Sequence, residues 1–499
     1  MTIRIWMICL LIMCLREVQG QYVYFNDIYS MDHPESTAAV EVMADGYVTV
    51  SALNMGGLRH VLMRKYDWEG DELMSNSIPV DSGYFYYHGH SALCKSGDTS
   101  LLYSGLFETI NGTYSKVFLF DNNLDTVWTR KIEIEGLPLV DLTVCLSQAD
   151  GYMFFGYAQY DIDRDIICVK LNTSGEYQWH WVLEDSAKSN TPFNAIQLNE
   201  SEFLLGGIVV NSQNLRNNWI SRLTMSGSVI WYHESGSSSR SDGGVGPIGK
   251  NSSEKYLLAY VEGVSGDPDF PESKLKIVEF EDTDQWTESA THEYSTYWRH
   301  GGVKLLIHPD DSRLIFAGYY DNQDNVHSYL QKTHDDGSED WMNFYSYNDC
   351  SNCSNELGDV EFAPDGGYIC AGYFIDYSES IPINKTWLLK IDACGDVVYN
   401  GCPPSVNVAE SNAKDQHLVL WPNPALDVLH LDADPGVEVV GFSMIDIAGK
   451  RVLYHAISHF TGTYAVDVSA LPAGYYLAET TLANGMSSVC HVVLSGSGR

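Results

Sequence analysis

Short runs of alternating hydrophobic and polar residues cover most of the chain, and turns rich in Asp and Gly separate them. One pattern, a turn followed by an apolar strand that often ends in Gly, recurs seven times. Successive copies are 51 to 58 residues apart. Alternation with a period of two predicts strands, and a repeat of this length predicts one small sheet for each copy. The equivalent positions are Tyr47, Leu101, Tyr152, Phe203, Tyr256, Leu314 and Tyr368.

The second half of each repeat is a strand, a turn and an aromatic residue. A Gly supplies the positive φ that a tight hairpin turn needs, and the aromatic is predicted to pack between neighbouring sheets. In three copies Trp follows the Gly by four residues, and in the seventh Tyr does: Gly175 and Trp179, Gly227 and Trp231, Gly337 and Trp341, Gly395 and Tyr399. Trp68, Trp128 and Trp286 are expected at a similar place in other copies.

Seven such sheets predict an all-β fold, a seven-bladed β-propeller over residues 21–402. The strand-like segment 21–29 precedes the first copy and is expected to pair with the last blade, which would close the ring and remove open edges. Residues 403–416 have no periodicity and are expected to be a linker. Residues 417–499 are expected to form a small β-sandwich, because they carry short alternating strands at 428–431, 439–447 and 464–468.

Three motifs follow one another in that last segment. They are Trp421-Pro422-Asn423-Pro424-Ala425, Asp446-Ile447-Ala448-Gly449-Lys450 and Leu471-Pro472-Ala473-Gly474-Tyr475-Tyr476. Together they resemble the type A C-terminal sorting domain of the Bacteroidetes type IX secretion system. The resemblance implies export across both membranes of a Gram-negative cell, with the type IX machinery as partner. The positions that carry it are Pro422, Asn423, Pro424, Asp446, Gly449, Lys450, Gly474 and Tyr476.

Residues 1–20 have the features of a secretory signal peptide. Arg4 supplies the positive charge, and Ile5–Leu15 is an unbroken apolar segment of 11 residues, too short to span a bilayer as a helix. No second apolar run of spanning length occurs. We therefore expect a secreted protein, or one attached to the outer-membrane surface, without a transmembrane helix in the mature chain.

The Gly-x-x-x-Trp spacing resembles the hairpin of quinoprotein-type (PQQ-like) propeller repeats. It differs from the sialidase Asp-box, in which the Trp follows the Gly by three residues. The whole segment is also similar to the uncharacterised propeller repeats found ahead of sorting domains in Bacteroidetes. Because this resemblance is to a broad class, the repeated Gly, Tyr and Trp residues are interpreted as packing positions and not as a ligand site.

The net charge is −37, and the acidic residues are spread along the chain. This charge argues against nucleic acid and anionic membranes as partners. Export permits disulfides. The favoured pairs are Cys350 with Cys353 and Cys394 with Cys402, because each pair is close in sequence within a turn-rich segment. Three other cysteines lie in apolar runs, which is typical of buried thiols: Cys145, Cys168 and Cys370.

Motifs that carry chemistry are mostly absent. The sequence has no complete nucleophile elbow, zinc-protease motif or phosphate-binding loop. Asp161, Asp163 and Asp165 alternate as the ligands of a calcium loop do, but the pattern lacks the Gly and the bidentate Glu of an EF-hand. A solvated acidic loop is the favoured interpretation, and calcium is the one cofactor that the pattern suggests. His88 and His90 have the spacing of a metal-binding pair on one strand face, although an exposed pair is commoner.

Function is expected on loops around the propeller channel, because one fold serves many functions. The segments 236–251 and 264–275 are expected to shape one rim, and Trp298 and Arg299 are candidate contact residues. The favoured hypothesis is a non-enzymatic binding or adhesion module for an extracellular glycan or protein. The alternative is a hydrolase of polysaccharide or peptide that uses paired carboxylates over the channel. A quinoprotein-like dehydrogenase would usually need eight blades and vicinal cysteines, and a purely structural role in gliding or adhesion is a further hypothesis.

Overall fold

A computed structural model of the protein describes residues 24–397 and 418–494, apart from short internal segments. Those segments are 32, 56–57, 80–83, 87–91, 98, 110–111, 161–162, 184–188, 211–215, 236–247, 264–271, 282–284, 286, 299, 321–325, 348–352, 378–382, 422–427, 434–438, 447–450, 461, 473 and 483–486. The signal-peptide prediction lies outside the described residues.

The chain forms β1 (Phe25–Tyr29) and then a series of antiparallel sheets, which we number in chain order. Sheet 1 contains β2 (Glu35–Met43), β3 (Gly46–Met55), β4 (Leu58–Tyr66) and β5 (Glu72–Pro79). Sheet 2 contains β6 (Tyr84–Tyr86), β7 (Leu93–Lys95), β8 (Ser100–Thr109), β9 (Gly112–Asp121) and β10 (Thr126–Ile132). Sheet 3 contains β11 (Leu139–Gln148), β12 (Gly151–Tyr160), β13 (Asp163–Asn172) and β14 (Tyr177–Leu183). Sheet 4 contains β15 (Ser189–Asn199), β16 (Glu202–Val210), β17 (Arg216–Thr224) and β18 (Val229–Ser235).

The remaining sheets of this series follow the same order. Sheet 5 contains β19 (Ile248–Lys250), β20 (Tyr256–Gly263), β21 (Glu272–Phe280) and β22 (Glu288–Trp298). Sheet 6 contains β23 (His300–Ile307), β24 (Arg313–Tyr320), β25 (Val326–Thr333) and β26 (Glu339–Tyr345). Sheet 7 contains β27 (Cys353–Phe362), β28 (Tyr368–Asp376) and β29 (Lys385–Ile391), with β1 as its fourth strand.

The innermost strands of the sheets form a closed ring; in sheet 2 both β6 and β7 pair with the same side of β8, and β7 takes part in the ring. Contacts join β2, β7, β11, β15, β19, β23 and β27 in succession, and β27 contacts β2 again. Sheets arranged radially around such an inner ring are the architecture of a β-propeller, so the predicted all-β propeller fold is confirmed. The seven sheets agree with the predicted number of blades. Sheets 6 and 7 are also joined by a parallel bridge between His327 and Asn355, and the blade count stays a prediction.

Strand β1 closes the ring, as the sequence predicted. It pairs with β29 over its whole length, from Phe25 opposite Lys390 to Tyr29 opposite Thr386. The indole Nε1 of the buried Trp387 donates to Asn26 Oδ1 at 2.6 Å. The first strand of the described chain therefore covers the edge of the last sheet, which would otherwise be an apolar edge open to other chains.

Each of four turn glycines lies against an aromatic ring of the preceding sheet. Their φ angles lie between +75° and +92°, and a Cβ at any of them would come within 2.9 Å of the ring. The glycine is therefore needed for its backbone conformation and also for the space that it leaves. The pairs are Gly175 with Trp128, Gly227 with Trp181, Gly395 with Trp341, and Gly70 with Phe25 of β1.

The aromatics after the turn do pack between sheets, as predicted. This holds for Trp128, Trp179, Trp231 and Trp341. In sheet 3, however, the ring against the next glycine is Trp181, two residues beyond the predicted Trp179. Trp68 also packs against a core between two sheets, 7 and 1, but its predicted place was wrong. It lies within the turn before Gly70 and packs edge-on against Tyr47, with ring centroids 5.2 Å apart. Trp286 and Tyr399 lie outside the described residues.

Gly227→Ala is expected to destabilise the protein more than Gly136→Ala does. Both glycines have a φ near +85°, which disfavours any Cβ by ~1–2 kcal/mol. Only Gly227 faces a ring, whereas no atom would meet a Cβ at Gly136. Displacing Trp181 adds ~1–3 kcal/mol. Urea unfolding of the two variants measures the difference, and equal losses would show that the ring contact contributes nothing.

Residues 418–494 form a β-sandwich, as predicted. One sheet contains β30 (Leu418–Trp421), β31 (Val428–Ala433) and β34 (Gly462–Asp467); the other contains β32 (Val439–Asp446), β33 (Arg451–Phe460), β35 (Gly474–Leu482) and β36 (Ser487–Leu494). A single core draws Leu429, Leu431 and Val466 from the first sheet and Phe442 and Met444 from the second. Contacts divide the chain into one compact body spanning Tyr22–Ser405 and a second that includes Val406–Arg499. The predicted linker 403–416 lies outside the described residues, and its limits stay predictions.

Candidate functional site

The connections between strands of sheets 1 to 7 lie at two edges. In antiparallel sheets, the connections from first to second and from third to fourth strand share one edge. This turn edge has connections of two to seven residues. The connections from second to third strand and from sheet to sheet share the opposite edge, which we call the loop edge. The longest connections join strands at this edge: 236–247, with 12 residues, and 264–271 and 377–384, with eight each. The first two belong to the segments predicted to shape one rim.

A cluster of mostly buried polar residues lies between sheets 3 and 4 beside the loop edge. We call it the rim cluster, and it comprises Asp141, Tyr157, Arg164, Asn190, Thr191, Asn217, Trp219 and Glu234. On sheet 3, Asp141 of β11 is opposite Tyr157 of β12, and the two side chains form a hydrogen bond. The Arg164 guanidinium lies over the Tyr157 ring, 4.3 Å from its centroid. This side of the cluster therefore combines an acid, a phenol and a cation.

The sheet 4 side of the rim cluster is held by the register of the strands. Asn190 and Asn217 are both opposite Val209 of β16, and Trp219 lies two residues further along β17. Because Val209 and Trp219 pack in one core with Ile166 of sheet 3, these side chains are directed at sheet 3. Two further contacts complete this side: Asn217 Nδ2 donates to Glu234 Oε1 at 2.7 Å, and the Trp219 ring stacks on Tyr232 with centroids 6.1 Å apart.

Two hydrogen bonds tie the sides together. Thr143 Oγ1 donates to the Pro192 carbonyl at 2.5 Å, which holds β11 alongside β15. Asp141 lies two residues before Thr143 in β11, and Asn190 lies two residues before Pro192 in β15. Both strands start at the loop edge, so Asp141 and Asn190 are at similar distances from that edge. Arg164 Nη1 donates to Thr191 Oγ1 at 3.4 Å across the same interface. The cluster is therefore a feature of the contact between two sheets and not of either sheet alone.

Among the described residues, three buried atoms on the sheet 4 side of the rim cluster have no hydrogen-bond partner. Asn190, Asn217 and Trp219 are 3%, 7% and 1% exposed. Within the part of the chain that the structure describes, Asn190 Oδ1, Asn217 Oδ1 and Trp219 Nε1 have no partner. A buried polar atom left unpaired costs ~1–3 kcal/mol, and native proteins normally provide a partner from protein, water or ligand. Two acceptors and one donor on one face therefore indicate a place for a polar molecule.

The chemistry of the rim cluster limits what that molecule is. Amide oxygens accept hydrogen bonds and an indole N–H donates one, so a hydroxyl group, which does both, suits all three atoms. The carboxylates of Asp141 and Glu234 disfavour an anion, and the guanidinium of Arg164 disfavours a metal cation. Tyr157 and Tyr232 add aromatic surface. A neutral molecule with several hydroxyl groups fits best.

A recess lies on the loop edge between sheets 7 and 1, away from the rim cluster. Its volume is about 270 Å³. Its lining includes Pro34, Ser36, Asn54, Arg59 and Asn384. Asn384 Nδ2 donates to Ser36 Oγ at 3.1 Å across the two sheets. The recess is polar, and it offers the loop edge a further contact surface away from the rim cluster.

Charged residues also meet on the inner strands. Lys304 Nζ lies 2.5 Å from Asp359 Oδ1 and 2.5 Å from Glu361 Oε1. Lys95 Nζ lies 3.4 Å from Glu41 Oε1. Burial, and next the Glu361 carboxylate, raise the pKa of Glu41 to about 7. A carboxyl group that holds its proton near neutral pH has the character of a general acid.

Glu41→Gln is expected to change how stability depends on pH. The folded chain keeps the Glu41 proton up to about pH 7, whereas the unfolded chain releases it near 4.5. Between these values the folded state binds more protons, so the wild-type unfolding free energy falls as pH rises. The difference from 4.5 to about 7 corresponds to about 3 kcal/mol. The unfolding free energy of Glu41→Gln relative to wild type should therefore rise by about 3 kcal/mol between pH 4.5 and pH 7.5.

Urea unfolding at several pH values measures this gain. Glu133→Gln is the control, since the Glu133 side chain is 67% exposed and should show no such trend. A constant difference between wild type and Glu41→Gln across the pH range would contradict the prediction.

The predicted metal ligands are only partly described. Asp161 lies outside the described residues. Strand β13 begins at Asp163, whose side chain is not described, and Asp165 is buried within that strand. The interpretation as a solvated loop is therefore wrong for Asp165, while the calcium site stays a prediction. His88, His90 and Arg299 lie outside the described residues, as does the side chain of Trp298. In the described ranges no three His, Cys, Asp or Glu side chains are grouped to hold a metal ion.

The cysteines fall into two groups. Cys353 and Cys394 are disulfide-bonded. Their predicted partners Cys350 and Cys402 lie outside the described residues, so the pairing stays a prediction. Cys94, Cys145, Cys168 and Cys370 carry free thiols, and all but Cys94 are buried, as the apolar runs indicated for the last three.

The sorting motif is described at three positions. Asp446 ends β32 directly opposite Tyr476 of β35, so two motifs that are distant in sequence meet in one sheet. Gly474 begins β35, and the buried Tyr476 donates its hydroxyl to the Pro472 carbonyl at 2.7 Å. Pro422, Asn423, Pro424, Gly449 and Lys450 lie outside the described residues.

Sequence reasoning missed the rim cluster. Its residues are ordinary polar positions at strand ends, and no motif marks them. The one available signal was the run Asn217-Asn218 at the start of an apolar strand, where both residues are buried against expectation. None of the described residues forms a helix of the length and apolarity needed to cross a membrane.

Comparison with known proteins separates the two parts of the chain. The family model for the secretion system C-terminal sorting domain matches residues 419–494. No curated protein matches the chain. Solved structures similar to it include a protein of unknown function from Dyadobacter fermentans, with 10% identity over 74% of this chain and 99% of that chain and a TM-score of 0.42. The β-propeller domain of the Trilobed protease from Pyrococcus furiosus is similar with 8% identity over 74% of this chain and 100% of that chain and a TM-score of 0.38.

A polysaccharide lyase of family PL25, an ulvan lyase, is similar with 10% identity over 74% of this chain and 95% of that chain and a TM-score of 0.48. At these values the likenesses carry no conclusion about activity, and the propeller assignment depends on the strand pairing described above. The C-terminal sandwich, in contrast, has both the family match and the predicted motifs. Residues 419–494 are therefore a type IX secretion system C-terminal sorting domain, and the protein is exported to the cell surface or beyond it.

Proposed function

We propose that this exported propeller is a non-enzymatic binding protein that holds a glycan at its loop edge, over the rim cluster. The observation that carries the proposal is a set of three buried atoms on one face of sheet 4 that have no hydrogen-bond partner among the described residues: Asn190 Oδ1, Asn217 Oδ1 and Trp219 Nε1. Small-ligand sites typically combine a small number of polar groups with aromatic surface. Sugar hydroxyls both donate and accept, and they would pair with all three atoms.

The location supports the same function. The rim cluster lies near the starts of β15 and β17, at the edge where the longest connections of the propeller begin and end, and binding residues are usually found on such loops. Export brings this edge to polysaccharides outside the cell. The net charge of −37 weighs against acidic ligands and leaves neutral glycans as the favoured class.

A glycan and matrix-protein array with the purified protein tests the proposal. We expect saturable binding to a neutral glycan, which Trp219→Phe and Asn190→Leu each weaken at least tenfold. The matched control is Trp128→Phe, because the Trp128 indole N–H is also buried and has no partner in the described part of the chain, but it lies near the turn edge. Binding that survives both rim-cluster variants, or that Trp128→Phe weakens equally, would overturn the site. An added chelator separates a role of calcium at Asp161, Asp163 and Asp165 from direct binding.

Trp219→Phe is expected to destabilise the ligand-free protein less than Trp387→Phe. Both indoles are fully buried, so the loss of packing is similar. Trp387 Nε1 donates to Asn26 Oδ1, whereas Trp219 Nε1 has no partner in the described chain. Losing the first bond adds ~1–3 kcal/mol. Urea unfolding of the two variants gives the difference, and equal losses would show that Trp219 already has a partner, such as a fixed water.

A hydrolase is the second candidate, and Glu41 is the observation that favours it. Its raised pKa and the neighbouring carboxylate of Glu361 are what a general acid and its partner need. The site would lie on the inner strands and not at the rim cluster. Hydrolysis of an array glycan that Glu41→Gln abolishes and Trp219→Phe leaves intact would favour this function over the binding protein.

A further inference from the structure

Two free cysteines face each other between sheets 2 and 3. Cys94 of β7 is opposite Leu102 of β8, and Cys145 of β11 is opposite Phe154 of β12. Leu102, Phe154 and Cys145 belong to one apolar core between the two sheets, and Cys94 packs against it. Since residues opposite each other across a strand pair point to the same side of the sheet, both thiols are directed into this interface.

The two thiols are neighbours. Strands β7 and β11 lie side by side in the inner ring, both cysteines lie at the same core, and Cys94 is one of the groups that raise the pKa of the Cys145 thiol. Their exposure differs, because Cys145 is 4% exposed and Cys94 is only partly buried. Two neighbouring thiols need a small approach to form a bond of about 2.05 Å. Cys168, which lies on the opposite face of sheet 3, has no cysteine in its core.

We propose that Cys94 and Cys145 form a disulfide that links sheets 2 and 3 in the exported protein. The oxidant is a protein disulfide of the thiol–disulfide exchange class, which the compartments outside the cytoplasm provide. The Cys94 thiolate attacks one donor sulfur, and the donor's other sulfur leaves as a thiolate. The Cys145 thiolate then displaces the donor from the mixed disulfide. The two thiols lose two protons and two electrons, and the donor becomes a dithiol.

Burial decides when this exchange takes place. The thiolate is the reactive form, and burial raises the pKa of the Cys145 thiol. The second step is therefore slow once sheets 2 and 3 have packed. We expect oxidation during export, before the interface closes, and a disulfide that external reductants reach poorly in the folded protein.

Peptide mapping of the full secreted chain tests the proposal. The protein is unfolded in iodoacetamide without reductant and digested with trypsin. We expect nearly all molecules to give a cross-linked pair of the peptides 66–95 and 132–164, while the Cys168 peptide 165–170 is alkylated. After reduction, both partner peptides should be alkylated as well.

Alkylation of Cys94 and Cys145 in unreduced protein would overturn the proposal, and so would a cross-link of either residue to a different cysteine. A Cys94→Ala variant gives an independent readout from thermal unfolding, because unfolding opens the interface and lets a reductant reach the disulfide. Reductant should lower the thermal midpoint of wild type more than that of the variant, because the other disulfides are common to both. Equal shifts would also count against the link, and the mapping of wild type decides the matter if the variant does not fold.

Discussion

A chain that lacks β1 is expected to lose the monomeric propeller. Phe25 is buried against Gly70, and its ring replaces the Trp that fills this place in other sheets. Removing the strand exposes that contact, removes ~1.5–3 kcal/mol of Phe burial and leaves the buried Trp387 N–H without Asn26, at ~1–3 kcal/mol more. We therefore expect a loss of ~2.5–6 kcal/mol. The bared edge of β29 is apolar and invites association with other chains.

Deletion of residues 21–30 and size-exclusion chromatography test this expectation. The truncated protein should elute as oligomers or aggregate, and urea unfolding should lose cooperativity. A synthetic peptide of residues 22–33 should restore the monomer, because β1 pairs through its whole length with β29. The matched control is Asp27→Ser, which alters an exposed side chain of the same strand and should change nothing. A stable monomer without β1 would show that the ring does not depend on this strand.

Arg64→Met is expected to cost ~3–5 kcal/mol. Arg64 forms a two-pronged ion pair with Glu35, and the two side chains are 1% and 0% exposed. Thr386 of β29 joins the pair, accepting from Arg64 Nη1 at 3.0 Å and donating to Glu35 Oε2 at 2.8 Å. Without the guanidinium, the Glu35 carboxylate stays buried and unpaired between sheets 1 and 7. The expense of an uncompensated buried charge exceeds that of the lost attraction.

The double variant Arg64→Met/Glu35→Gln separates the cost of the uncompensated Glu35 charge from the loss of the Arg64–Glu35 attraction. If the unpaired charge is the cause, the second substitution should recover more than half of the loss in urea unfolding. Arg222→Met is the matched control, because the Arg222–Glu202 pair has side chains 13% and 22% exposed. It should cost ~0–1 kcal/mol, as partly solvated pairs do. A double variant no more stable than Arg64→Met would mean that Arg64 acts through packing alone.

The repeat made the fold predictable. The turn glycines and the alternating strands recur at a nearly constant period, and each copy is one sheet whose hydrogen bonds are mostly local in sequence. The closing pair β1–β29 was predictable for a different reason, since an extra strand at one end had only an open edge to pair with. The sequence could not predict that Trp181, and not Trp179, lies against Gly227. The two tryptophans are two residues apart and point to the same face of the sheet, so only the packing selects between them.

The rim cluster could not be predicted from the sequence, and the reason is geometric. Asn190, Asn217 and Trp219 lie on two strands of sheet 4, and Asp141 and Arg164 lie on two strands of sheet 3. No linear spacing records which sheet faces which, or that the Thr143–Pro192 hydrogen bond sets their level. The acidic run at Asp161–Asp165 was conspicuous in sequence, yet Asp165 is a buried strand residue.

The sequence by itself determined the all-β class, the repeat, the closing strand and the export address, because these depend on local periodicity and on short motifs. Only the tertiary structure decided which polar atoms are buried without partners, which carboxyl group holds its proton near neutral pH and which cysteines meet. Those properties arise where residues from different sheets come within a few ångströms of each other. Burial and pairing are relations between sheets, and the order of residues along one chain does not contain them.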